Sequence, residues 1–178
     1  MTLDFKQDFF ALFGQPRRFG LDAAALDAAY RAIAAEVHPD RYASAPDSER
    51  RLALMHATRV NEGYQTLRQP LARARYLLQL AGIDTQEETN TSMPAEFLME
   101  QMEWREAIAD ARAGSHVEQL EKLARELAGD LKSLEAELAE ALDSADPDLD
   151  GAAQLVRKWR FMEKLDQEIG DAIEALLY

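Results

Sequence analysis

The 178-residue sequence contains no cysteine. That excludes a disulfide framework and a thiolate ligand set, so the chain cannot hold structural zinc or an iron–sulfur cluster through its own sulfur. Glycine (8 residues) and proline (6) are scarce and apolar residues make up 47%, which points to a folded, mostly helical protein. No apolar run approaches the roughly 20 residues of a membrane-spanning helix. A phosphate-cradling glycine loop, an internal repeat and a Ser/His/Asp set are also missing. The opening Met1-Thr2-Leu3-Asp4-Phe5 lacks the basic start of a signal peptide and the arginines of a transit peptide, so the expected location is the cytosol.

Charge is present but unevenly spread. Residues 1–80 hold 11 Lys/Arg against 9 Asp/Glu and residues 81–178 hold 9 against 24, so the halves carry about +2 and −15 of the net −13. Such asymmetry suggests two halves with different partners. The acidic half repels phosphate backbones, and no basic, aromatic-studded face occurs elsewhere, which argues against nucleic-acid binding. Acidic surface also keeps a helical bundle soluble.

Phe5, Phe9, Phe10 and Phe13 predict a short aromatic helix over 5–13, stopped by Gly14. Asp22 is placed to cap a second helix. Leu26, Tyr30, Ile33 and Val37 give that helix one apolar face. Pro39 stops it near Val37 or His38, because proline lacks an N–H and disfavours helix for the residue before it. His38-Pro39-Asp40 then forms a tight exposed corner. Asp47 or Ser48 is expected to cap a third helix lined by Leu52, His56, Val60, Tyr64 and Leu67 and running to about Arg68. Pro70 opens a fourth, which Gly82 closes. Residues 83–94 are polar and aperiodic and predict a linker.

Three further helices follow. The first spans about Ala95–Ala113, with Gly114 as its stop. Ser115-His116-Val117-Glu118 has the pattern of a capping box. It opens a helix lined by Val117, Leu120, Leu127, Leu131, Leu134, Leu138 and Leu142. Asp146-Pro147 restarts the chain into a helix lined by Leu149, Ala152, Val156, Trp159, Ile169, Ile173 and Leu176. Short connections predict an antiparallel three-helix bundle. In the first of these helices Phe97, Trp104, Ile108 and Ala111 suffice for the core. Leu98, Met99 and Met102 are surplus, ringed by Glu103, Glu106 and Asp110. Adaptable methionine beside leucine with an acidic rim suits a protein-binding patch, or else packs inside the protein. A metal site at His38 and Asp40 would need further ligands, and the remaining histidines, His56 and His116, are isolated; no cofactor is called for.

Two helices joined by His38-Pro39-Asp40, followed by Val60-Asn61-Glu62-Gly63-Tyr64, Leu67, Pro70, Arg73 and Tyr76, resemble the core of a J-domain. Phe10-Ala11-Leu12-Phe13-Gly14, Arg73-Ala74-Arg75-Tyr76-Leu77-Leu78, the run from Phe97 to Glu106 and Val156-Arg157-Lys158-Trp159-Arg160-Phe161 resemble the HscB-type J-protein. That family comprises twenty-kilodalton co-chaperones of iron–sulfur cluster assembly. The resemblance implies an all-α protein with a J-domain over 1–82, a linker over 83–94 and an acidic three-helix client-binding domain over 95–178. It implies no enzyme activity of its own. His38, Pro39, Asp40, Arg41 and Arg31 would engage an HscA-type seventy-kilodalton heat-shock-class chaperone and stimulate its ATPase. Leu98, Met99, Met102, Glu103, Glu106, Asp110 and Phe161 would hold an IscU-type scaffold protein. J-domains usually steer with a basic second helix; this one offers Arg31 against Asp22, Asp27 and Glu36. Steering then leans on Arg41, Arg50, Arg51, Arg17 or Arg18. The alternatives are a J-protein serving a general chaperone and another client, and a non-catalytic acidic helical adaptor.

Overall fold

A computed structural model describes residues 4–87, 89 and 93–177. The described residues form seven α-helices and a 3-10 turn, with no strand: α1 (Phe9–Leu12), α2 (Ala23–Val37), the turn Pro39–Tyr42, α3 (Asp47–Arg68), α4 (Pro70–Leu80), α5 (Ala95–Ala113), α6 (Val117–Asp143) and α7 (Leu149–Leu177). The chain divides into two compact units after Leu77, inside α4.

In the first unit α2 and α3 form a hairpin. The Asp22 carboxylate accepts the N–H groups of Ala24 and Ala25 at the start of α2, a cap that contributes about 1 kcal/mol. Tyr64 Oη donates to Asp27 Oδ1 (2.7 Å) and Tyr30 Oη donates to Asn61 Oδ1 (2.8 Å). The Tyr30 and Tyr64 rings stack between these bonds at 4.0 Å. As one residue number rises its partner's falls, so the helices run antiparallel. Beneath the clasp, Leu26, Ile33, Val37, Val60 and Leu67 are buried.

α1 is shorter than the aromatic spacing predicts. Asp8 captures the Ala11 N–H (3.0 Å) and starts the helix late. Phe5 lies outside it and stacks on His56, the ring centroids 3.7 Å apart. Phe9 and Phe10 are buried, and the Phe9 N–H donates to Tyr76 Oη (3.0 Å). Burial pushes the Asp8 carboxyl up, but Arg17 at 2.6 Å and the Ala11 N–H outweigh it and hold the group below its ordinary 3.8.

In α3 the buried stripe is Ala53, Val60, Gly63 and Leu67, and Leu52 is 51% exposed. The seven-residue spacing from Leu67 through Val60 lands on Ala53, which turns Leu52 out to solvent. Neither Asp47 nor Ser48 caps α3; Pro46 occupies that position, without a side-chain bond.

The second unit is a bundle in which each of α5, α6 and α7 touches the other two. Its core combines Phe97, Ile108 and Ala111 with Leu120, Leu123, Leu127, Leu134 and Leu138 and with Val156, Trp159, Met162, Leu165 and Ile169. The capping box predicted at Ser115 does not form. The Ser115 N–H donates to the Arg112 carbonyl and the His116 N–H to the Ala111 carbonyl, a Schellman closure of α5. Ser115 takes the left-handed position (φ 56°) of that closure, so its backbone is not in the extended form an N-cap needs. Thr85 is buried and its carbonyl accepts from Arg157 Nη1 of α7 (3.2 Å). The early residues of the predicted linker are thereby tied to the bundle; residues 88 and 90–92 lie outside the described set.

A Cβ built on Gly63 would stand 2.8 Å from Phe9 Cδ1 and 3.1 Å from Phe13 Cε2, whereas one on Gly129 meets nothing. Gly63→Val is therefore expected to lose about 1–3 kcal/mol by overpacking, and Gly129→Ala to gain up to about 1 kcal/mol of helix propensity, both read by urea unfolding. Asp8→Ala should lose about 1 kcal/mol of capping at pH 7. Because the folded carboxyl is depressed, this stabilisation is present above pH 3.8 and disappears as pH falls through the folded value. Melts of variant and wild type should converge there.

Candidate functional site

The first candidate site is the connection between α2 and α3. The last four carbonyls of a helix have no partner within it, and side chains from the turn supply some here. Arg41 Nη1 donates to the Ala35 carbonyl (3.2 Å) and Tyr42 Oη to the Glu36 carbonyl (3.3 Å). The guanidinium also sits where the helix dipole is negative. Pro39 occupies the first position of the 3-10 turn, where its missing N–H is no loss. The Arg41 N–H closes the turn on the His38 carbonyl (3.0 Å).

This bracing leaves His38 and Asp40 facing solvent, their side chains 58% and 91% exposed. His38 Nδ1 accepts the Asp40 backbone N–H (3.3 Å) and lies 3.6 Å from Asp40 Oδ2. His38, Pro39, Asp40 and Arg41 are thus brought together. Arg31 lies apart from them in sequence on exposed α2, its Nε turned back to the Asp27 carbonyl (3.4 Å). Beside the corner runs a groove of about 310 Å³ lined by Tyr30, Ala34, Val37, His38 and Pro39 on one side and Leu54, Ala57, Thr58 and Asn61 on the other. Leu54 was not singled out from the sequence, because it breaks no periodicity; its exposure follows from Ala53 taking the core position.

The second candidate site is the flank of α5. Leu98, Met99 and Met102 are 44%, 63% and 72% exposed. Leu98, Met102 and Arg105 fall on one stripe by four- and three-residue steps. Met99, Glu103, Glu106 and Asp110 form the stripe beside it, with the three carboxylates all exposed. Phe161 of α7 meets Phe97 edge-on at 5.7 Å, and the Arg105 guanidinium carbon stands 5.3 Å over the Phe161 ring. Phe161 is therefore held next to the Leu98–Met102 stripe from below and above. Arg105 is an addition to the predicted set; its spacing from Leu98 was legible, but its seat on Phe161 depends on the packing of α7. Among the described residues no group of three or more His, Asp and Glu is placed to hold a metal ion, and no helix is long and apolar enough to cross a membrane.

A helical hairpin closed by an exposed His-Pro-Asp turn, followed by a three-helix bundle with an apolar flank, defines an all-α architecture that the comparisons with known proteins place in a family. Residues 93–170 match the family model described as the HSCB C-terminal oligomerisation domain. The co-chaperone protein HscB homolog of Chromobacterium violaceum is 70% identical over 177 residues, 99% of each chain. That of Azoarcus sp. is 54% identical over 176 residues, again 99% of each. Among solved structures, the chaperone HscB from Vibrio cholerae superposes with a TM-score of 0.83 at 33% identity, covering 96% of this chain and 99% of its own. The human co-chaperone HscB gives 0.87 at 29%, covering 94% and 82%. The chain belongs to the HscB family of co-chaperones.

Because the α5 flank is exposed, Leu98→Ala and Met102→Ala should each change unfolding free energy by less than about 0.5 kcal/mol. Phe97→Ala should cost about 3–5 kcal/mol. A multi-kilocalorie loss at Met102 would mean that the flank is packed rather than presented.

Proposed function

We propose that this co-chaperone binds an IscU-type iron–sulfur scaffold protein on the α5 flank and delivers it to an HscA-type seventy-kilodalton chaperone, whose ATPase it stimulates through the His-Pro-Asp turn. The observation that supports this most is the pairing of two exposed features that the protein's own folding does not use. One is the braced turn at His38, Pro39 and Asp40. The other is the Leu98/Met99/Met102 flank.

Asp40 presents an exposed carboxylate to an arginine of the chaperone, a charge-assisted bond stronger than a neutral one. Pro39 holds the carboxylate at its angle, and His38 supports the turn through the Asp40 N–H. Arg41 fixes the turn to α2, and Arg31 adds a cation on that helix. On the bundle, Leu98, Met99, Met102 and Phe161 supply adaptable apolar contact. Glu103, Glu106 and Asp110 form a rim that selects a client with basic residues and speeds its encounter. Holding the client while engaging the chaperone raises the client's effective concentration there. Hydrolysis and cluster chemistry belong to the partners; this chain contributes no catalytic group, and the cluster is cargo. The setting is the bacterial cytoplasm, with residues 1–82 acting on the chaperone, 83–94 connecting and 95–178 binding the client.

The description of the matched family model as an oligomerisation domain favours one second reading, in which the α5 flank joins two copies of this chain. Sedimentation across a hundredfold concentration range separates the two: the scaffold-binding reading expects a monomer whose mass is unaltered by Met102→Glu.

Steady-state ATPase of the chaperone with scaffold present tests the main proposal. Asp40→Asn should abolish stimulation while leaving scaffold binding intact. Leu98→Ala/Met102→Ala should raise the scaffold concentration needed for synergy by about 10- to 100-fold, as loss of two interface anchors does, while leaving stimulation without scaffold unchanged. No stimulation by wild type would place the adaptor alternative first.

A further inference from the structure

The exposed face of α2 is poorly equipped to steer an encounter. Ala23, Ala24, Ala28, Ala32 and Ala35 are exposed there beside one cation, Arg31, and one free carboxylate, Glu36. Asp22 is engaged in capping and Asp27 in the bond to Tyr64. The first turns of α3 differ. Leu54 is 58% exposed and stands, with Ala57, Thr58 and Asn61, in the α3 wall of the groove that opens at His38 and Pro39. The same leucine lines a second hollow with Asp47, Arg50 and Arg51. Arg50 is paired with Asp47. Arg51 is exposed and has no ionic partner among the described residues. Glu49 falls on the opposite flank of α3 by helical spacing, so the cation beside Leu54 is not cancelled. An exposed aliphatic side chain next to an unpaired guanidinium, continuous with the His-Pro-Asp corner, matches an apolar side chain followed by a carboxylate on the facing surface.

We propose that the ATPase chaperone docks chiefly along the start of α3 rather than along α2. An acidic, aliphatic segment of the chaperone's surface seats its apolar side chain in the Leu54 groove and its carboxylate on Arg51. This rests on the co-chaperone function above and adds which surface sets affinity. The groove fixes the distance between the seated segment and Asp40, so docking on α3 positions the turn that triggers hydrolysis. Arg31 has a smaller part, being turned back on its own helix.

The test measures chaperone ATPase against concentration of the full-length co-chaperone for wild type, Leu54→Ala, Arg51→Glu, Arg31→Glu and Asp40→Asn, at low and physiological salt. Leu54→Ala and Arg51→Glu should each raise the half-saturating concentration about tenfold with the maximal rate kept. Arg51→Glu should also flatten the salt dependence, and Arg31→Glu should shift half-saturation less than threefold. Asp40→Asn should lose the maximal rate itself. Both altered α3 positions are exposed, and matching circular-dichroism melts establish that the variants fold. If Leu54→Ala and Arg51→Glu stay within twofold of wild type while Asp40→Asn is inactive, or if Arg31→Glu has the larger effect, docking on α3 is refuted and the co-chaperone function stands. If wild type itself gives no stimulation, the function falls and this inference falls with it.

Discussion

Everything presented by the first unit depends on how α2 ends. A helix terminus leaves carbonyls that need donors, and a proline just beyond it cannot supply an N–H. Here Arg41 and Tyr42 reach back to the Ala35 and Glu36 carbonyls. The turn therefore satisfies the helix with the residues after the motif rather than with the motif itself. His38 caps only its own turn, through the Asp40 N–H, and the Asp40 side chain is left 91% exposed. A carboxylate free to meet an arginine outside the molecule is a consequence of that division of labour. The Asp27–Tyr64 and Tyr30–Asn61 bonds then hold the two helices at a fixed register, so the corner is presented on a rigid base.

The bundle uses a similar separation. α5 completes the core with Phe97, Ile108 and Ala111, and its remaining apolar residues are left outside. Leaving Leu98, Met99 and Met102 partly exposed forgoes a fraction of the roughly 1.5–3 kcal/mol that full burial of each side chain contributes. The bundle tolerates this because α6 and α7 contribute long continuous apolar stripes of their own. Phe161, which meets Phe97 edge-on and lies under Arg105, brings α7 to this flank. Two exposed surfaces in two compact units suit the proposed division between holding one partner and acting on another.

Where local chemistry decides structure, the sequence was readable. Pro39, Asp22, Gly82 and Gly114 mark helix ends because their backbone or side-chain properties admit few alternatives, and the helices begin and end where those residues say. The α5 surplus was legible by counting: Phe97, Trp104, Ile108 and Ala111 fill the predicted core face before Leu98, Met99 and Met102 are considered, although Trp104 is only half-buried while the other three are buried. Legibility failed where one local pattern had two uses. Ser115 matches a capping box, but the closure of α5 needed it in a left-handed conformation first. Leu52 joined the predicted apolar face through four-residue steps to His56 and Val60, whereas the register set by Val60 and Leu67 buries Ala53 and leaves Leu52 exposed. The groove between His38 and Leu54 and the seat of Arg105 over Phe161 involve residues distant in the chain, and no spacing rule reaches them.

The central claim is that the two surfaces are distinct and separately addressed. Isotope-labelled protein titrated with the chaperone and, separately, with the scaffold tests this most directly through backbone amide shifts. The account predicts two disjoint sets: residues 38–41 and the first turns of α3 with the chaperone, and residues 98–110 with Phe161 and its neighbours with the scaffold. Shifts from both partners converging on one set of residues would contradict it.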